Sequence, residues 1–144
     1  MRRLTTRVSP LLFALVLPAL GAAGCDSTTT PTSTATSATP TSITETFQGS
    51  VSVSGAATFS FGVLAQGAVT ATYKTISPAT TATLGLALGV WNGATCSVII
   101  ANDNAVLNTT VIGNASAAGT LCVRAYDVGR LTATQTVELT VTHF

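Results

Sequence analysis

Charge is nearly missing from this chain. Of its 144 residues only 8% are Asp, Glu, Lys or Arg, and it has one histidine, one tryptophan and one methionine. Each shortage excludes something. A nucleic-acid groove needs a stripe of Lys and Arg to displace phosphate counterions, and beyond the N-terminal Arg2, Arg3 and Arg7 the cations are Lys74, Arg124 and Arg130. Against them stand Asp26, Glu45, Asp103, Asp127 and Glu138, a net of −2, so a nucleic-acid partner is not expected. Nucleophilic hydrolysis needs a base beside the nucleophile. The lone His143 falls in a strand-like segment, and neither a G-x-S-x-G elbow nor an H-E-x-x-H helix occurs. Glycosidase chemistry needs two carboxylates about 5–10 Å apart, and nothing in the sequence pairs these scattered acids. No cofactor motif is present either. The reading is therefore of a protein that is not an enzyme.

Long apolar runs are also missing. A membrane span needs about 20 uninterrupted apolar residues, whereas Ser9, Pro10 and Pro18 cut the N-terminal apolar core to Leu11–Leu17. What is there instead is the order of a secretory signal: a basic head, a short apolar core and small residues from Gly21 to Gly24. Ala23-Gly24-Cys25 then resembles the bacterial lipobox, with Ala22 at the position where that motif usually has Leu. The resemblance implies cleavage after Gly24 and a diacylglycerol on the Cys25 thiol. Residues 1–24 would be a lipoprotein signal peptide, and the mature protein would be held outside the cytoplasm by lipid on a bacterial membrane. Each buried methylene contributes about 0.8 kcal/mol, so two or more acyl chains anchor stably where one does not. Ordinary cleavage at the same place, releasing a secreted protein, is the alternative.

Residues 25–42 read as a linker. From Asp26 to Ser42, twelve of seventeen residues are Ser or Thr and two are Pro, with a Pro-Thr-Ser triplet at Pro31 and again at Pro40. Such a segment has no apolar area to offset the entropy of ordering. As a coil it would reach about 23 Å.

From Ile43 the apolar residues recur with period two, and no convincing stretch has period 3.6. Phe59, Phe61 and Val63 alternate with Thr58, Ser60 and Gly62; Val69, Ala71 and Tyr73 with Thr70, Thr72 and Lys74; Val137, Leu139 and Val141 with Glu138, Thr140 and Thr142. That is the pattern of half-buried strands. Asn92-Gly93 between two apolar runs predicts a two-residue type I′ hairpin, which would pair Val90 with Thr95 and put Leu84, Leu86, Leu88 and Val90 on a core face. Leu121, Val123 and Ala125 form one face of a further strand, with Cys122, Arg124 and Tyr126 on the other. The intervening ANDNAVLNTTVIGNASAAG reads as a loop, a short strand near Thr109–Ile112 and a turn. Seven or eight strands in residues 43–144 predict an all-β, antiparallel β-sandwich. In an exported chain, Cys96 and Cys122 are expected to close a disulfide, since the other ligands that a zinc site demands are missing.

The succession ETFQGSVSVSGAATFSFGV, a leucine-alternating strand and GTLCVRAYD resembles the bacterial pre-peptidase C-terminal domain. The matching positions include Gly119, Thr120, Val123 and Arg124. The resemblance implies a jelly-roll-like sandwich serving as a non-catalytic accessory module. Aspartates that often lead the leucine strand in that family are replaced here, in the region of Thr81 and Thr83, so no role of theirs carries over.

Two candidate features remain. Trp91 beside the hairpin, with Tyr126, is a candidate for stacking on a sugar ring, which would make the domain a glycan-binding or adhesive surface module. Its bland reading is a tryptophan packed on the disulfide or on a neighbouring strand. Asn102-Asp103-Asn104, helped by Asp127, offers oxygens to calcium; its bland reading is a turn in which Asn and Asp bond their own backbone. The expected partners are thus a membrane, through Cys25, and envelope proteins or glycans.

Overall fold

The computed structural model of the protein describes residues 39–144. The signal segment 1–24, Cys25 and the linker as far as Ala38 lie outside the described residues. Eight strands follow one another: β1 (Ile43–Val51), β2 (Ala56–Val63), β3 (Gly67–Ser77), β4 (Leu84–Trp91), β5 (Cys96–Ala105), β6 (Thr110–Ala115), β7 (Gly119–Tyr126) and β8 (Gln135–His143). They form two antiparallel four-stranded sheets, ordered β1-β8-β3-β6 and β2-β7-β4-β5. Every connection except the β4–β5 hairpin passes from one sheet to the other. The result is an all-β sandwich with the strand order of a jelly roll.

The period-two pattern is what folds it. Val69, Ala71 and Tyr73 of β3 and Val137, Leu139 and Val141 of β8 are buried, facing Phe61 and Val63 of β2, Leu84, Leu86 and Leu88 of β4, and Val123 and Ala125 of β7. Each such side chain taken out of water contributes about 1.5–3 kcal/mol for Val, Leu or Phe. The one interruption in β3 is a bulge between Tyr73 and Thr75, which leaves Lys74 outside and returns Ile76 to the core. Tyr73 also ties the sheets together, because its hydroxyl donates to the Gly85 carbonyl at 2.9 Å. Burial, and more weakly the nearby Tyr126, push its phenol well above the usual range.

Three local expectations need correction. The hairpin loop has four residues, Asn92 to Thr95, because Trp91 pairs with Cys96 and Val90 with Ser97. A type I′ turn needs positive φ at both central residues, and here only Gly93 has it, at 97°. Asn92 acts through its side chain instead. Its Oδ1 accepts from the amides of Ala94 and Thr95 at 3.0 and 2.8 Å, while its Nδ2 donates to Thr95 Oγ1 at 2.9 Å. That Asx turn outweighs the dipeptide preference. Bulges at Leu88/Gly89 and Leu84/Leu86 then shift the register further, so Leu88 lies opposite Ile100 and Leu86 opposite Asn102.

Second, Val90 is 47% exposed, unlike the three buried leucines on its face. It stands where the sheets part into a shallow apolar groove bounded by Val69, Leu88 and Ile100. Third, ANDNA is strand, not loop, and β5 runs on to Ala105. As the edge of its sheet β5 is wetted along most of its length, so a loop-like composition is tolerated there.

Candidate functional site

The outer face of the β2-β7-β4-β5 sheet is where the chemistry collects. β4 is buried on both sides from Leu84 to Gly89, and its outward residues are Gly85, Ala87 and Gly89. Small residues there leave room for two covers. Over Gly85 lies the ring of Tyr126, so close that a Cβ at Gly85 would run into it. The Tyr126 hydroxyl donates to Asp103 Oδ1 on β5, so the side chain bridges β4 from β7 to β5.

The second cover is the disulfide. Cys96 and Cys122 are bonded, with Cα atoms 5.8 Å apart. They sit on β5 and β7, strands that β4 separates, and adjacent strands are already about 4.8 Å apart. The start of β5 must therefore curl over the sheet. The bulge at Leu88/Gly89 and the missing side chain at Gly89 allow it, since a Cβ there would meet the Ser97 carbonyl. Cys122, expected on an outer strand face, is fully buried as a result.

Arg124 lies beside both covers. Its guanidinium stands 5.4 Å from the centre of the Tyr126 ring, a cation–π distance. Burial pushes the Tyr126 phenol up to about 12, its hydrogen bond to Asp103 and the charge of Asp103 add to this, and Arg124 opposes it. Between Arg124 and the hairpin opens a cleft of about 320 Å3 lined by Trp91, Thr95, Cys96, Arg124 and Thr58 together with Ala56 and Ala94. This is the small end of the range for ligand sites, ~300–1,000 Å3.

The structure thus places Trp91 in a cleft with Arg124, whereas Tyr126 stands behind Arg124 as its support. Sequence reasoning placed Arg124 on the Tyr126 face but gave it no role. The available signal was spacing: residues two apart on a strand share a face, so Arg124 and Tyr126 were neighbours from the outset. Nothing in the sequence pointed to Thr58 on a distant strand.

Asp103 and Asp127 have other partners. Asp103 accepts from Tyr126. Asp127 Oδ2 accepts the Ser54 amide at 2.8 Å, and its Oδ1 accepts those of Gly129, Arg130 and Leu131 at 2.8, 2.9 and 3.1 Å. These amides, Ser54 foremost, hold its carboxyl below the usual Asp range. Asn102-Asp103-Asn104 lies in a strand, where Asn102 Oδ1 accepts the Asn104 amide at 2.9 Å and Asn104 Oδ1 accepts from Arg130 Nη1 at 2.9 Å. Among the described residues no three His, Cys, Asp or Glu side chains gather as metal ligands.

His143 is fully buried against Phe61, ring centres 5.1 Å apart, and its Nε2 donates to Glu45 Oε1 at 2.9 Å. Among the described residues no Ser or Thr hydroxyl bonds to it. It acts as a packed strand residue that fastens β8 to β1. No family model matches the chain, and no curated protein matches it.

Proposed function

We propose that the chain is a bacterial lipoprotein whose sandwich serves outside the cytoplasm as a non-catalytic structural or accessory module. In this reading the signal is cut before Cys25, the thiol is acylated, and the Ser/Thr/Pro tract is the leash between bilayer and domain. The carrying observation is the cysteine count. The chain has three cysteines, and Cys96 and Cys122 are bonded to each other. Cys25 is the odd one, placed after a signal-like segment and a pair of small residues. The disulfide also fits an oxidising compartment, and the resemblance to pre-peptidase C-terminal domains supports the accessory role. Mass spectrometry of membrane-extracted protein is expected to find acyl chains on Cys25, and Cys25→Ser to release the protein into the soluble fraction. An unmodified thiol on protein from the culture medium rejects anchoring in favour of secretion.

A second reading, a glycan-binding surface module, is favoured by the cleft that joins Trp91 to Arg124. An aromatic face and a few polar groups converging in a concavity are the usual elements of a small-ligand site. A glycan array with wild type and Trp91→Ala tests it. Binding lost in the variant supports it; no binding at all, or binding indifferent to Trp91, removes it.

A further inference from the structure

The charge of the cleft narrows the glycan-binding reading and depends on that reading being right. We infer that the cleft selects acidic sugars, a uronic-acid unit stacking on Trp91 and presenting its carboxylate to Arg124.

Arg124 is a cation in want of a counter-charge. Among the described residues the ion pair found is His143 with Glu45, and Arg124 makes neither an ion pair nor a side-chain hydrogen bond. It is nevertheless partly buried. Every other residue lining the cleft is neutral: Trp91, Thr58, Thr95, Cys96 and the two alanines. Asp103, on β5, accepts from the Tyr126 hydroxyl, and Asp127 accepts four backbone amides. The lining of the cleft thus carries one positive charge and no negative one.

Arg124 is also held ready. Tyr126 is fixed at one end by Asp103 and rests on the bare backbone of Gly85, and the guanidinium stands over its ring. A planar fork set in place beforehand loses less freedom on binding. Its geometry matches a carboxylate, which it can grip through two parallel N–H bonds. Trp91 supplies the complement for the rest of the unit. The ring C–H groups of a pyranose are weakly positive and apolar, and the face of an indole is negative and apolar. Thr95 Oγ1 already accepts from Asn92, so its O–H is left to donate to a sugar oxygen.

The test uses isothermal titration of the full processed chain with hexamers of galacturonate and of mannuronate. The matched controls are the same hexamers with each carboxylate reduced to a hydroxymethyl group. In low salt at least one acidic hexamer should bind roughly tenfold more tightly than its reduced counterpart, the scale of one charge-assisted pair. That advantage should shrink as salt is raised. Arg124→Gln should erase it, weakening the acidic hexamer far more than the reduced one, and Arg124→Lys should keep only part of it. Trp91→Ala should weaken both forms, and Trp91→Phe should restore some binding to each. Circular dichroism and an intact disulfide check that the variants are folded. Equal affinity for the two forms, or a preference that survives Arg124→Gln, overturns the acidic-sugar inference while leaving a Trp91-dependent glycan site standing. Failure of all four hexamers to bind folded wild type overturns the inference, and an array empty of other glycans then removes the underlying reading as well.

Discussion

The outer face of the β1-β8-β3-β6 sheet and that of the β2-β7-β4-β5 sheet are covered in different ways. On the first, Thr46, Thr140, Thr72 and Thr110 stand in register across all four strands. Thr44 pairs its hydroxyl with that of Thr142 at 2.8 Å, Thr72 with Thr110 at 2.9 Å, and Gln48 donates to Glu138 at 2.7 Å. These are near-neighbour contacts between exposed side chains. On the second face, Tyr126 and a disulfide reach across a strand and bury β4 from above. Alternation alone makes a half-wet sheet. Turning such a sheet into a concave site takes long side chains that bridge strands, and bare glycines beneath them.

Perturbing the covers should therefore matter more than perturbing the threonines. The largest effect is expected from Cys96→Ser with Cys122→Ser. Opening a loop of 26 residues should lower stability by about 3.5 kcal/mol on the chain-entropy account, read from urea unfolding. Next is Gly89→Ala, whose methyl meets a backbone carbonyl that cannot step aside. A loss of about 2 kcal/mol is expected, together with slower formation of the disulfide in an oxidative refolding assay. A loss below about 0.5 kcal/mol would show that β5 does not need to lie so close, and the covered face would lose its explanation.

Tyr126→Phe removes one hydroxyl bonded to a carboxylate and should lower stability by about 1 kcal/mol at neutral pH. It also changes the alkaline limb. The Tyr126 phenol titrates near 12 in the folded protein against an ordinary 10, so the unfolded chain gives up its proton first. This contribution is intact below pH 10 and drains away as pH rises through 12. The variant should flatten that decline without abolishing it, since Tyr73 is shifted in the same direction. The smallest effect belongs to the other face. Thr72→Ala deletes a cross-strand hydroxyl pair and should lower stability by less than about 0.5 kcal/mol. A loss above about 1 kcal/mol would erase the contrast between the two faces.

The same contrast explains what could be read from the residues alone. Val69, Ala71 and Tyr73, or Val137, Leu139 and Val141, declare their buried face by local alternation, so the sandwich was legible. The disulfide was legible from two cysteines inside one domain, once the chain was read as exported. The curl that brings them together was not, because it depends on Gly89 meeting Ser97 across a bulge. The four-residue loop was hidden for a related reason: the Asn92 side chain competes with the backbone preference of Asn-Gly, and their balance is set by the register beyond. Trp91 stood out as the lone tryptophan. Its cleft did not, because Thr58 and Arg124 meet it only once β2 and β7 have paired.

β8 supplies the middle of the first sheet, flanked by β1 and β3, although it comes last of the eight. Without it β1 has no neighbour in its sheet, and the β3–β6 pair is a loose ribbon. A chain truncated before Gln135 keeps all four strands of the β2-β7-β4-β5 sheet but loses Val137, Leu139 and Val141 from the core that covers them, so it should stay protease-sensitive until that strand is supplied.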